Sequence, residues 1–199
     1  IDDTLAHSDF YAGLLTQFIV DGKLWALPSE ARPKVIAYNQ ALFDAAAVAD
    51  PASDWTTDEF VELARQLTQG SGLTKQYGFV GDYYELADAE LFIKRRGGML
   101  YDQSIDPPAF AFNIPATMDA IKWYTALTQA QGVKPLTMTN LAAPQQAGMN
   151  YNQRSALINA GRAAMWTTVF GIPEPLYKLP GGLQTSLVPL PLGMEGAPV

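Results

Sequence analysis

Cysteine is absent from the 199 residues, and histidine occurs once, at His7. Disulfides, thiol nucleophiles and zinc–thiolate sites are therefore closed to this chain. A Ser-His-Asp triad would have to use His7, and no Gly-x-Ser-x-Gly elbow is present. No Gly-x-x-x-x-Gly-Lys-Ser/Thr phosphate loop occurs. The lone pair Gly70-Ser71-Gly72 reads as a helix stop. Without a His or Cys cluster no transition-metal site is expected, and no cofactor. No apolar run approaches the roughly 20 residues of a membrane helix. Basic residues are also few, 13 Lys and Arg against 20 Asp and Glu, for a net charge of -7. That balance leaves no electrostatic footprint for nucleic acid or an anionic membrane.

What remains is the composition of a chain that folds around a core, 48% hydrophobic and 17% charged. Its length suits one or two modest domains. The stretch from Trp25 to Phe43 organises the reading. Leu24-Trp25-Ala26-Leu27 is a short apolar run that Pro28 stops, because Pro has no backbone donor. Val35-Ile36-Ala37-Tyr38 is β-branched and aromatic and predicts a buried strand. Asn39 caps a helical pattern through Ala41, Leu42, Ala45 and Ala46. The polar loop Ser29-Glu30-Ala31-Arg32 lies between the two runs, where binding groups tend to be carried.

Elsewhere, Phe10, Leu14, Leu15 and Phe18 predict a helix over 10–20 that Gly22 ends. Thr56-x-x-Glu59 is a capping box, flanked by Trp55 and Phe60 at the positions of a hydrophobic staple. Trp55 is accordingly structural. Phe60, Leu63, Ala64 and Leu67 form the buried stripe of that helix, and Gly70 and Gly72 stop it. Gln76 to Val80 reads as a strand, Gly81 to Glu85 as a loop, and Ala87 to Arg96 as a helix. The basic run Lys94-Arg95-Arg96 favours the negative helix end from a solvated face. A further helix is capped by Asn113, with Met118, Ile121, Tyr124 and Leu127 inward and Trp123 off the stripe. Helix 151–160, strand 163–167 and strand 187–191 complete the pattern. Alternating strands and helices predict an α/β domain.

Ligands of open α/β sheets sit beyond the carboxyl ends of strands. Gly81–Glu85 and Thr167–Gly171 both meet that condition and both carry aromatic and polar groups. A sugar site needs both kinds, ring faces for C–H surface and hydrogen-bonding groups for hydroxyls. Glu85 with Asp82 or Asp88 could flank a sugar as acid and base, a role that depends on a separation in space the sequence does not give; surface acids of an acidic chain are the plainer reading.

Asp21-Gly-Lys-Leu-Trp-Ala-Leu-Pro28, Val35-Ile-Ala-Tyr-Asn39 and Leu42-Phe43 resemble the family 1 extracellular solute-binding proteins, receptors of bacterial ABC importers. The likeness continues through Trp55-Thr56-Thr57-Asp58-Glu59-Phe60, Tyr77-Gly78-Phe79, Arg96-Gly97-Gly98 and Gly161-Arg162-Ala163-Ala164-Met165, in the same order and spacing. It implies a periplasmic-binding-protein-like α/β fold. Members are normally about twice this length, which implies a fragment holding mostly the second lobe of a two-lobe receptor. Residues 1–38 would be a first-lobe remnant and crossover, 39–190 the second lobe, and 191–199 a tail leading back.

The resemblance implies polar ligand contacts after Leu27-Pro28, at Glu30 and Arg32. It puts Tyr83 and Tyr84 forward as aromatics after the Tyr-Gly-Phe strand, beside Asp82. It also implies a stacking aromatic after Ala-Ala-Met, where the family usually has Trp. Here Phe170 is the nearest match, with Trp166 earlier and Thr167 beside it. Hinge residues are expected at Tyr38, Asn39 and Gln40. The implied function is binding of a mono- or oligosaccharide or polyol in a cleft, and delivery to the ABC permease subunits. A monomer outside the cytoplasmic membrane is expected, with a lipoprotein anchor compatible. The alternatives are a carbohydrate-active enzyme using the carboxylates near Glu85 and a solute-sensing receptor domain.

Overall fold

The computed structural model describes residues 10–82, 85–102, 104–129, 131–135, 151–170 and 184–193. The chain divides into two units, Ile1–Pro33 and Lys34–Val199.

In the first unit, helix α1 (Ala12–Leu15) is one turn long and passes into a 3₁₀ turn, Thr16–Phe18. Strands β1 (Ile19–Val20) and β2 (Lys23–Leu24) then pair antiparallel. The predicted helix over 10–20 is therefore cut short by a hairpin. Asp21 and Gly22 both have positive φ, 52° and 72°, the geometry that an Asp-Gly two-residue turn adopts between strands. The turn dipeptide overrides the i, i+4 spacing of the apolar residues.

The second unit is built on a four-stranded sheet in the order β4-β7-β3-β8. Its strands are β3 (Lys34–Asn39), β4 (Tyr77–Val80), β7 (Ala163–Val169) and β8 (Thr185–Pro189). Strand β3 runs antiparallel to both of its neighbours, β7 and β8, whereas β4 and β7 are parallel. Residues alternate across β3. Ile36 and Tyr38 face one apolar cluster and Ala37 the other, as the two-residue period of a strand requires.

The larger cluster is aromatic. Phe60 sits at its centre, 5.0 Å from the Phe79 ring, 5.2 Å from Phe92 and 5.8 Å from Trp55. It lies on α3 (Thr57–Gln66), and the predicted capping box is complete. The Thr56 amide donates to Glu59 Oε2 at 2.7 Å, and the Glu59 amide to Thr56 Oγ1 at 3.2 Å. Trp55 is buried, its indole N–H on the Pro189 carbonyl at 2.8 Å. Helix α3 ends earlier than its glycines suggest, at Leu67, because Thr68 Oγ1 closes on the Ala64 carbonyl at 2.6 Å. Helix α2 (Gln40–Ala46) is capped by Asn39, whose side chain accepts from the Ala41 amide.

Helix α4 (Glu85–Arg95) contributes Phe92 to the core. Its basic end departs from expectation. Arg96 lies 4.6 Å over the Trp123 ring and donates to Thr57 Oγ1 at 2.9 Å and Asp58 Oδ1 at 3.0 Å. The guanidinium therefore tethers α4 to the start of α3 through stacking as well as charge. Short strands β5 (Tyr101–Asp102) and β6 (Ala109–Phe110) form a hairpin. In α5 (Pro115–Gln129) the buried positions are Thr117, Ala120, Tyr124 and Leu127. Met118 is exposed and Trp123 packs on the core, because Thr117 Oγ1 hydrogen-bonds the Met99 amide and carbonyl and turns the helix. Helix α6 (Tyr151–Asn159) covers the opposite sheet face through Ile158, against Ala37, Val80 and Trp166.

Candidate functional site

Parallel pairing of β4 and β7 brings their carboxyl ends to one edge of the sheet. The antiparallel register Lys34↔Val169 delivers the first residue of β3 to the same edge. Gly81 and Asp82 leave β4 there, and Thr167 to Phe170 close β7.

A buried polar cluster ties these ends together. Asp88, on the first turns of α4, has no exposed surface. Its Oδ2 accepts from the Asp82 amide at 2.5 Å and from Thr167 Oγ1 at 2.8 Å. Its Oδ1 has no hydrogen-bond partner and lies 3.6 Å from Lys34 Nζ. Lys34 also pairs with Asp82 Oδ2. From α6, buried Arg154 donates through Nε to the Gly81 carbonyl at 3.0 Å and through its guanidinium to the Thr167 carbonyl. One arginine thus holds the ends of β4 and β7 by carbonyls that lie past or at the limit of the ladder. Lys134 is 2% exposed, its ammonium 5.6 Å from the Tyr124 ring centre. A Cβ on Gly81 would lie 2.9 Å from Asp88 Oδ2 and 3.2 Å from Lys134 Cε, so a larger residue there would require these side chains to shift.

Burial raises the Asp88 pKa above its ordinary value, because desolvation penalises the carboxylate. The Asp82 amide, the Thr167 hydroxyl and the Lys34 charge oppose that rise, and the Asp82 charge adds to it.

The sequence-derived candidates fall in different places. Asp82 lies at the edge with its side chain 14% exposed, paired with Lys34. Phe170 is 56% exposed. Trp166 is 1% exposed and belongs to the core cluster of Ala37, Val80 and Ile158. Its ring has no open face in this structure, whereas the Phe170 ring at the same end of β7 is exposed. Thr167 is fully buried and its hydroxyl is committed to Asp88. Glu30 and Arg32 form an exposed ion pair at 2.9 Å in the first unit. Tyr83 and Tyr84 lie outside the described residues. The hinge candidates are firmly placed. Tyr38 is paired with Met165 on one side and Ser186 on the other, Asn39 caps α2, and the Gln40 amide donates to the Gln184 carbonyl at 3.1 Å.

Sequence reasoning missed Lys34, which reads as a polar residue after Pro33, and it placed Asp88 only as a possible acid–base partner. The signal for Asp88 is its spacing. It precedes Leu91 and Phe92 by three and four residues, on the inward face of α4, where a charge demands partners. Among the described residues no group of three or more His, Cys, Asp or Glu is arranged to hold a metal ion. A groove of about 410 Å³ lined by Asp50, Pro51, Trp55, Glu59, Glu62 and Leu63 shares no residue with this edge.

Residues 2–196 match the family model of the bacterial extracellular solute-binding protein. The chain belongs to that family. The chain also superposes on solved structures. An ABC substrate-binding protein from Listeria monocytogenes, in complex with cycloalternan, matches with TM-score 0.73 and 18% identity, over 96% of this chain and 45% of that one. UspC from Mycobacterium tuberculosis matches with TM-score 0.73 and 19% identity, over 98% and 50%. An ABC transporter solute-binding protein from Agrobacterium radiobacter, in complex with ribitol, matches with TM-score 0.67 and 25% identity, over 96% and 45%. A search of the curated proteins gives no match. The chain spans about half the length of these structures, a span that fits one lobe of a periplasmic-binding-protein-like α/β receptor. Its family and these neighbours are substrate-binding proteins, not enzymes.

Proposed function

We propose that this chain supplies one lobe of a receptor that binds a sugar or polyol and delivers it to an ABC permease. The observation that carries the reading is the edge itself. The exposed Phe170 ring follows directly on the strand whose end is fixed to Lys34, Asp82 and Asp88. A ring face and a preorganised set of hydrogen-bonding groups are the two halves of a sugar site. Solved neighbours bound to maltose, D-mannitol and ribitol support the ligand class. Tyr83, Tyr84, Glu30 and Arg32 remain proposed contributors in the longer protein. Trp166 and Thr167 support the site from beneath. The crossover at residues 34–38 leads into the sheet, and bending is proposed in the chain before Lys34 and after Leu192, with Tyr38 to Gln40 as its fixed end. The family is extracellular, so the receptor works outside the cytoplasmic membrane.

Thermal shift of the full-length receptor against ribitol, D-mannitol and maltose tests the reading, since a ligand that binds only the native state raises its stability. Phe170→Ala should weaken the tightest of them by about tenfold, through loss of the stacking face. Equal affinity in calorimetry would place the stacking residue elsewhere.

A further inference from the structure

We propose that Asp88 is a positioning residue of the ligand site: its buried carboxylate fixes the Asp82 backbone, the Thr167 hydroxyl and the Lys34 ammonium where β3, β4 and β7 meet. The proposal rests on the reading that this edge takes the ligand.

Three segments far apart in sequence converge on one carboxylate. Oδ2 takes two donors, the Asp82 amide at 2.5 Å and Thr167 Oγ1 at 2.8 Å. Oδ1 takes none, and among the described residues the cation that faces it is Lys34 Nζ at 3.6 Å, beyond hydrogen-bond reach. A neutral acceptor would still take the two donors on Oδ2, in weaker bonds than a carboxylate makes. Keeping a half-satisfied charge in the interior is costly, so the charge acts on Lys34. An ammonium has three donors. Asp82 takes one of them, Asp88 acts on the ammonium by charge alone at 3.6 Å, and with the side chain 23% exposed a donor is left for a ligand hydroxyl. The Gly81 backbone lies close to the same carboxylate, since a Cβ there would come within 2.9 Å of Oδ2. Asp88 thus sets both the loop that carries Asp82 and the direction in which Lys34 points.

The charged groups around Asp88 come from every element packed on it. Lys34 arrives from β3, Asp82 from the β4–α4 loop, Lys134 from the segment after α5, and Arg154 from α6 by way of the Gly81 and Thr167 carbonyls. Of these, Lys34 is the cation that faces the unbonded Oδ1.

The test uses the full-length receptor, Asp88→Asn, and the double variant Lys34→Met/Asp88→Asn. Asparagine keeps the shape and one acceptor oxygen, and the double variant removes both charges together. The first readout is the proton–nitrogen NMR signal of the Asp82 amide against pH. In the wild type it should lie downfield and follow a carboxyl titration, and in both variants it should move upfield and stop titrating. The second is calorimetry with ribitol, D-mannitol and maltose. Both variants should bind the tightest probe at least about tenfold more weakly. The double variant should melt no higher than Asp88→Asn, because Lys34 keeps its pair with Asp82 in the single variant and Asp82 loses that cation in the double. A purely structural role would lower the melting temperature of Asp88→Asn and leave its affinity, measured where both proteins are folded, at that of the wild type, and that result overturns the proposal. So does an Asp82 amide that ignores the substitution, or an affinity within about twofold of wild type. If the wild type binds none of the three probes, the reading of the edge as a sugar site fails instead. That failure is distinguishable because it appears before any substitution is made.

Discussion

Asp88 concentrates the electrostatics of this protein in one side chain. Desolvation holds its proton affinity above that of the unfolded chain, whose ordinary value is 3.8. The folded state therefore binds this proton more tightly than the unfolded state does. The stability it contributes is fully present below the unfolded value and is lost as pH rises through the folded value. Asp88→Asn has nothing to titrate. The stability of the wild type relative to Asp88→Asn should accordingly fall as pH rises from below 3.8 toward neutrality. Urea unfolding of both proteins across that range checks it, and a difference that stays constant would refute the assignment. At the helix cap, Thr56→Ala removes the acceptor for the Glu59 amide. It should cost about 0.5–2 kcal/mol and leave probe affinity unchanged, as paired melts and titrations would show. The cap was legible because both partners lie three residues apart. Asp88 was only half legible, since its inward spacing is visible but its partners are not.

Between elements, the tightest constraint is where α3 crosses β4. A Cβ on Gly78 would fall 1.9 Å from the Ala64 carbonyl oxygen, a backbone atom that has no freedom to retreat. Thr68 Oγ1 seals the same contact, accepting from the Gly78 amide at 3.0 Å and donating to the Ala64 carbonyl at 2.6 Å. Gly78→Ala should therefore cost about 1–3 kcal/mol or more, as overpacking does. Chemical denaturation measures it, and a loss below about 0.5 kcal/mol would mean that helix and strand part easily. The sequence reading placed Gly78 in a strand and named it in a motif, but it held no reason for the glycine. Helix α5 teaches the same point. Its periodicity allows two adjacent stripes, and the Thr117–Met99 hydrogen bonds select the one with Met118 outside.

For the molecule as a whole, the four-stranded sheet and the three apolar clusters found among the described residues lie within Lys34–Val199. Residues 34–199 expressed alone should keep a single cooperative thermal transition, because nothing in those clusters comes from the first unit. Circular dichroism melts of the two lengths test this, and a broad non-cooperative melt of the shorter chain would show that the first unit is needed. The α/β class, β3 and the strand at 163–167 were readable in advance from β-branched and aromatic runs. The hairpin at 19–24 was also written in the sequence, as Asp21-Gly22, but the helical spacing around it obscured it.

The sequence by itself determined the local structure. Asn39 and Thr56 start helices, Pro115 opens α5, and Val35 to Tyr38 can only be a buried strand, because each signal acts on neighbours within a turn or a pleat. It also determined the family, through motifs that recur in order along the chain. Only the tertiary structure decided the site. Lys34 meets Asp82 across 48 residues, Arg154 meets Gly81 across 73, and Thr167 meets Asp88 across 79. Those contacts follow from the strand order β4-β7-β3-β8 and from the antiparallel entry of β3. No local pattern encodes them, because a strand's period states which residues share a face but not which other strand lies beside it.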